Sequence, residues 1–210
     1  MIQIGAVDLS RLCDGEYQTL YSLASPERQR RADRYLRPSD AQQCIVADGL
    51  LRWVLKQALG TEQLSISKTA EGKPFLTDYP AFHFNLSHSG HWVVIAWGDR
   101  PMGVDVQMMD RNEGTEQLAQ RFYHPDEQSY VFEVDSQERS ARFFEIWTKK
   151  ESYLKFQGTG INRDLRSFSV LAPEDAAFYT QPLPDAMLSL CAQDPTCRVI
   201  SMTPSMLLSE

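Results

Sequence analysis

Trp147-Thr148-Lys149-Lys150-Glu151-Ser152-Tyr153-Leu154-Lys155 places apolar residues at helical spacing with charged residues set among them. Wound at about 100° per residue, a helix through this stretch brings Phe143, Trp147 and Leu154 within about 40° of one another. Ile146 and Tyr153 flank that stripe on one side and Phe144 on the other. Lys150 falls inside the stripe and Glu151 between Trp147 and Phe144, whereas Glu145, Lys149 and Ser152 take the opposite face, which is free to be solvated. A carboxylate and an ammonium facing inward are costly unless paired, hydrogen-bonded or metal-bound. Three readings follow: a buried Lys–Glu pair at a helix–helix contact, a side chain snorkelling out of a half-buried face, or a functional site.

Outward from this helix, the chain reads as helices then strands, twice. A short strand over Met1–Val7 precedes a helix from Pro26 to Tyr35 with Ser25 as N-cap. Pro38-Ser39-Asp40 breaks it and caps a helix from Ala41 to Leu59, closed by Gly60. Strands are expected at Ile66–Thr69, Phe82–Leu86 and Trp92–Trp97, with Met102–Val106 returning as the partner of the last. A polar connector over residues 110–115 follows. Helices then run over Glu116–Tyr123, Pro125–Glu133 and Glu138–Gln157, and short β-type runs broken by prolines finish the chain. The order predicts an α+β protein of two halves, residues 1–109 and 110–210.

The chain has 210 residues, 42% hydrophobic, with a net charge of −7. That balance argues against nonspecific nucleic-acid or anionic-membrane binding. Yet Arg28, Arg30, Arg31, Arg34 and Arg37 crowd into ten residues, which suits a compact anionic ligand or a solvated helix face. Cys13, Cys44, Cys191 and Cys197 lack metal-ligand spacing, no secretion signal opens the chain and no apolar run spans a bilayer. A cytoplasmic protein with free thiols is expected.

Within Gly103-Val104-Asp105-Val106-Gln107, strand alternation turns Val104 and Val106 to the core and Asp105 with Gln107 to the other side. Asp105 is either a strand-end carboxylate that caps a turn or, with Glu151, half of an oxygen site for a hard divalent cation. Asn85-Leu86-Ser87-His88-Ser89-Gly90 packs hydroxyls, an imidazole and a glycine, donors that suit phosphate oxygens or a polar turn. A serine nucleophile is a third reading of this segment, but G-x-S-x-G is absent and no triad partner stands out; Walker A, G-x-G-x-x-G and H-E-x-x-H are absent too, against a nucleoside-triphosphate kinase, a Rossmann dehydrogenase and a zincin.

Taken together, Gly72-Lys73-Pro74, Phe84-Asn85-Leu86-Ser87-His88-Ser89, Gly103-Val104-Asp105, the Trp147–Lys155 stretch and Gly158-Thr159-Gly160 resemble the Sfp-type 4'-phosphopantetheinyl transferases. The likeness covers most of the first ~165 residues. It implies two similar α+β halves related by a pseudo-twofold axis, with the active site in the cleft between them. It implies transfer of 4'-phosphopantetheine from coenzyme A to a serine of an apo acyl or peptidyl carrier protein, and release of adenosine 3',5'-bisphosphate. Asp105 and Glu151 would hold Mg²⁺, and Lys150 and Lys155 would contact phosphate or pantetheine. Lys73, Ser87 and His88 would bind the nucleotide, and Arg28 and Arg31 its 3'-phosphate. Glu127 or Glu151 would take the serine proton. Many members carry an acid where Gln107 stands, so this metal site has less negative charge. Arg111, Leu118, Arg121, Phe122 and Tyr123 are candidates for carrier docking, or for a packed helix. By the same analogy the protein is a monomer. The competing functions are a coenzyme A or carrier binder with little turnover, and a metal-dependent hydrolase of coenzyme A-like pyrophosphates.

Overall fold

A computed structural model describes residues 1–61, 65–109, 114–160 and 164–209. Residues 110–113 of the expected connector over 110–115, with Arg111, lie outside them. Four layers stack in the order helix, sheet, sheet, helix.

The first sheet has the order β4 (His83–Ser89), β5 (Trp92–Gly98), β1 (Ile2–Asp8) and β9 (Cys197–Met202). All pairs are antiparallel except β1 with β9. The second sheet, all antiparallel, has the order β6 (Gly103–Met108), β8 (Ala186–Ala192) and β7 (Ala177–Pro182). Alternation along each strand builds the layers. On β1 and β5, Ile2, Ile4, Ala6, Trp92, Val94 and Ala96 face Val104, Val106, Leu188 and Leu190 of the second sheet. Val7, Val93, Ile95 and Trp97 turn outward against α1 (Asp14–Leu23) and α3 (Pro38–Leu59). On the far side of the second sheet, Met187 and Cys191 pack against α4 (Thr115–Phe122), α5 (Pro125–Phe132) and α6 (Ser136–Gln157). The short α2 (Pro26–Ala32) and a hairpin of β2 (Ile66–Lys68) with β3 (Pro74–Leu76) complete the first half.

The halves echo each other, as expected of an α+β pair. Each places one 22-residue helix, α3 or α6, on the outer face of its sheet. Both helices end on a left-handed glycine, Gly60 at φ 70° and Gly158 at φ 72°, where a side chain would be strained.

Several sequence expectations shift. Met102–Val106 does not return beside Trp92–Trp97, because β5 is already flanked by β4 and β1 and offers no edge. β6 instead founds the second sheet. Helix α3 starts at Pro38 rather than Ala41, since proline at N1 gives up an N–H that has no partner there anyway. Ser152 is fully buried rather than solvated. Its carbonyl lies 2.1 Å from where a Cβ on Gly103 would sit, so only glycine lets β6 approach α6 this closely. Helix α1 has no counterpart in the sequence reading; the Glu16 carboxylate caps its start by accepting from the Cys13 N–H at 2.9 Å. The last strand crosses back to pair Ile2 with Cys197 and Val7 with Met202, so both chain ends build the first sheet.

Candidate active site

Asp105 sits on β6, at the open edge of the second sheet, 5% exposed. Its Oδ1 accepts from the Ser87 hydroxyl at 2.7 Å and from Lys155 Nζ at 2.7 Å. Its Oδ2 is buried and has no hydrogen-bond partner among the described residues. Lys155, near the end of α6, also donates to Ser87 Oγ at 2.8 Å and to the Val104 carbonyl at 3.0 Å. Glu151 lies one helical turn earlier. Burial raises its pKa, the Asp105 charge raises it further and Lys155 only partly offsets them. Glu151 and Lys155 line a cavity of about 230 Å³ together with Lys73, Asn85 and the glycines 72, 158 and 160.

The elements dictate this convergence. Ser87 comes from β4 of the first sheet, Asp105 from β6 of the second and the two α6 residues from the helix behind it. Gly103 lets α6 rest against β6, which carries Lys155 to the Asp105 carboxylate. An all-oxygen set of two carboxylates, one with an unpartnered oxygen, suits Mg²⁺, which commonly takes one or two carboxylates plus substrate oxygens. No cluster of three or more metal-ligating His, Cys, Asp or Glu side chains occurs among the described residues. Gln107 follows Asp105 on the same face of β6, half-buried.

Lys150 and Glu127 are brought together, but away from this cavity. They are 1% and 0% exposed and 2.8 Å apart. Lys150 Nζ also donates to the carbonyls of Leu165 and Phe168, each at 2.7 Å. Glu127 accepts from the Val170 and His124 N–H groups, each at 2.8 Å. Burial raises the Glu127 pKa against the pull of Lys150. This is the buried pair at a helix–helix contact, between α5 and α6. Neither head group is left to reach a ligand.

Lys73 borders the cavity, yet its Nζ donates to the carbonyls of Met102, Lys155 and Phe156 at 3.1, 2.7 and 3.3 Å. It caps the end of α6, where carbonyls lack intrahelical partners. Burial lowers its pKa. His88 is exposed by surface area, and its pKa is lowered by partial burial of the ring, then by the Lys155 and Arg31 charges, against Asp40 and Asp105. Arg31 is exposed and donates to the Tyr35 hydroxyl at 3.2 Å. Arg28 is tied to Asp48 at 3.1 Å.

The docking candidates separate. Leu118 is 41% exposed and Arg121 is exposed, with its guanidinium 5.1 Å from the Phe122 ring centre. Tyr123 is fully buried and donates to the Phe143 carbonyl at 2.7 Å, so it belongs to the core. Asn85 and Gly103 are site-building residues to which the sequence reading assigned no role. The signal for Asn85 was the polar alternation of Asn85, Ser87 and Ser89 along one strand.

The family model described as "4'-phosphopantetheinyl transferase, N-terminal" matches residues 12–99, and that of the "4'-phosphopantetheinyl transferase superfamily" matches residues 101–197. The 4'-phosphopantetheinyl transferase Sfp of Bacillus subtilis is 32% identical over 177 residues, 83% of this chain and 78% of its own length. The 4'-phosphopantetheinyl transferase psf-1 of Bacillus pumilus is 33% identical over 190 residues, 88% of this chain and 80% of its own. The 4'-phosphopantetheinyl transferase HetI of Nostoc sp. is 32% identical over 176 residues, 80% of this chain and 74% of its own. With both halves matched and the Asp105–Glu151–Lys155 constellation at their junction, this chain belongs to the 4'-phosphopantetheinyl transferase superfamily and is a transferase of the Sfp type.

Proposed function

We propose that this protein transfers the 4'-phosphopantetheine arm of coenzyme A to a serine hydroxyl of an apo acyl or peptidyl carrier protein. Adenosine 3',5'-bisphosphate leaves. The observation that carries the reading is the buried, unpartnered Oδ2 of Asp105 beside a Glu151 carboxyl whose proton affinity is raised. Such an oxygen is costly unless something binds it. Asp105 and Glu151 would hold Mg²⁺, which supplies charge neutralisation of a pyrophosphate when bound.

The chain's own residues provide the rest. Lys155 fixes Asp105 and Ser87 in one geometry and adds a positive charge where phosphate charge must be met. Phosphoryl transfer depends mainly on such alignment and charge stabilisation. His88, exposed and with its pKa lowered, would serve as a hydrogen-bond donor to phosphate oxygens. Arg31, exposed, would meet the nucleotide's 3'-phosphate, while Lys73 acts by holding the α6 terminus. Of the two glutamates considered for the serine proton, Glu151 lines the cavity and Glu127 is sealed in the core. Because both halves of one chain supply the site, a monomer suffices. No helix among the described residues is long and apolar enough to cross a membrane, and the four cysteines are unpaired, which suits a reducing cytoplasm.

The test is to incubate the protein with coenzyme A, Mg²⁺ and an apo carrier protein and to weigh the carrier. A gain of one phosphopantetheine is expected. Release of phosphopantetheine to water marks a hydrolase instead, and binding without any gain across several carriers marks a binder. Asp105→Asn should abolish the gain and leave the protein folded; near-normal turnover in that variant refutes the assignment of Asp105.

A further inference from the structure

The inner face of the first sheet is apolar on β1 and β5 but polar on β4, where Asn85, Ser87 and Ser89 share the side that faces the second sheet. The reason is what lies opposite. β6 is an edge strand, and its outer main-chain groups have no neighbouring strand. The β4 side chains take that place. Asn85 Oδ1 accepts from the Val104 N–H at 2.8 Å, and Ser89 Oγ accepts from the Met108 N–H at 3.0 Å. Between them Ser87 donates to Asp105 Oδ1 at 2.7 Å.

Asn85 has a second end. The residue is 6% exposed, and its carboxamide oxygen is committed to Val104. Val104 N–H is a donor, so the orientation of the amide is settled by its partner. The amide nitrogen meets no acceptor among the described residues. Asn85 lines the cavity with Glu151 and Lys155, and the nitrogen is the amide end left to face it.

We propose that Asn85 acts at both ends: its oxygen positions Asp105 through the adjoining Val104 N–H, and its NH₂ group donates to a phosphate oxygen of the substrate in the cavity. The inference rests on the coenzyme A reading for its ligand. A neutral donor fits here because Asp105 and Glu151 already require a cation, and a further ammonium would compete with it.

The experiment measures binding, not turnover, so it stands even if no carrier is modified. Mn²⁺ affinity is read by electron paramagnetic resonance, and coenzyme A affinity in EDTA by calorimetry. Asn85→Ala removes both ends and should weaken each by about tenfold or more. Asn85→Asp keeps the acceptor for Val104 and loses the donors, so it should bind Mn²⁺ at least as well as wild type and coenzyme A more weakly. In an Asp105→Asn background, Asn85→Ala should still weaken coenzyme A binding in EDTA, because that contact is direct. Unchanged Mn²⁺ affinity in Asn85→Ala overturns the positioning role. Unchanged coenzyme A affinity in Asn85→Ala, or loss of its effect in the Asp105→Asn background, overturns the donor role. If Asn85→Ala does not fold, Asn85→Asp decides: Mn²⁺ binding lost, or coenzyme A binding kept, refutes the proposal.

Discussion

Replacing Lys150 by alanine should cost stability before it costs ligand affinity. The ammonium is 1% exposed, 2.8 Å from Glu127, and donates to two carbonyls at 2.7 Å while sitting 4.2 Å from the centre of the Phe168 ring. Removing one partner of a buried ion pair leaves the other charge uncompensated, at about 3–5 kcal/mol. At about 2–4 °C per kcal/mol for a chain of this size, the midpoint should fall by about 6–20 °C. The loss should depend on pH. Without Lys150 the Glu127 carboxyl, already raised by burial, goes higher still. A raised carboxyl favours the folded state below its unfolded pKa and loses that benefit as pH rises toward the folded value. The gap between variant and wild type should therefore narrow in acid. Replacing the pair together, Lys150→Met with Glu127→Leu, should recover much of the loss. The assay is calorimetric unfolding from pH 4.5 to 8, alongside coenzyme A binding below the midpoint. A Lys150→Ala protein with a wild-type midpoint and a tenfold weaker hold on coenzyme A would refute this reasoning and put Lys150 on the ligand.

Glu151→Gln should abolish carrier modification yet raise the metal-free midpoint at pH 7–8, because it removes a carboxylate that burial and Asp105 disfavour. That gain should vanish as pH falls through the raised pKa; a lower midpoint at pH 8 contradicts it. Gly103→Ala would put a Cβ 2.1 Å from the Ser152 carbonyl and 2.4 Å from the Phe156 nitrogen, and both are backbone atoms that cannot swing away. It should cost about 1–3 kcal/mol or more and give little soluble protein; wild-type yield and midpoint would show that α6 can retreat. Leu118→Asp, on an exposed side chain of α4, should raise the Michaelis constant for the carrier severalfold and leave that for coenzyme A unchanged. A normal carrier constant removes α4 from the docking surface.

The two charges that α6 turns inward look equivalent on a helical wheel, and the structure gives them different fates. Periodicity fixes the direction of a side chain but not what stands across from it. Glu127 reaches Lys150 because the Pro125 helix folds back along α6, a tertiary event with no trace in local spacing. Strand and helix alternation turn Asp105 and Glu151 inward, near enough for the Asp105 charge to act on Glu151, but local pattern gave no sign that Ser87 and Lys155 hold Asp105. Ser152 is buried although the helical wheel turns it outward, for the converse reason: helix α6 is covered on a second side by β6, and the local sign of that is a glycine at the start of the strand. Strand identities were readable from composition, but the sheet each strand joins was not. β6 found no edge beside β5, and β9 crossed the molecule to lie parallel to β1, a pairing of distant segments that local pattern does not encode.

Gln107 bears on how tightly such a site can hold a cation. It shares the Asp105 face of β6, so an acid there would raise the local carboxylates from two to three against the Lys155 ammonium that Asp105 already binds. On the Mg²⁺ reading, Gln107→Glu should tighten Mn²⁺ binding by about tenfold or more, which corresponds to about 1.4 kcal/mol. The same charge must also act on the metal-free protein. A third carboxylate pushes the proton affinity of Glu151 further up, so metal-free Gln107→Glu should lose stability relative to wild type as pH rises and regain it in acid. Tighter metal binding with that pH-dependent loss is the signature of like charges converging on one cation. Tighter binding without the loss would mean that the new carboxylate sits apart from Glu151. Unchanged Mn²⁺ affinity would mean that position 107 does not face the cation, and that an amide there carries no consequence for the chemistry.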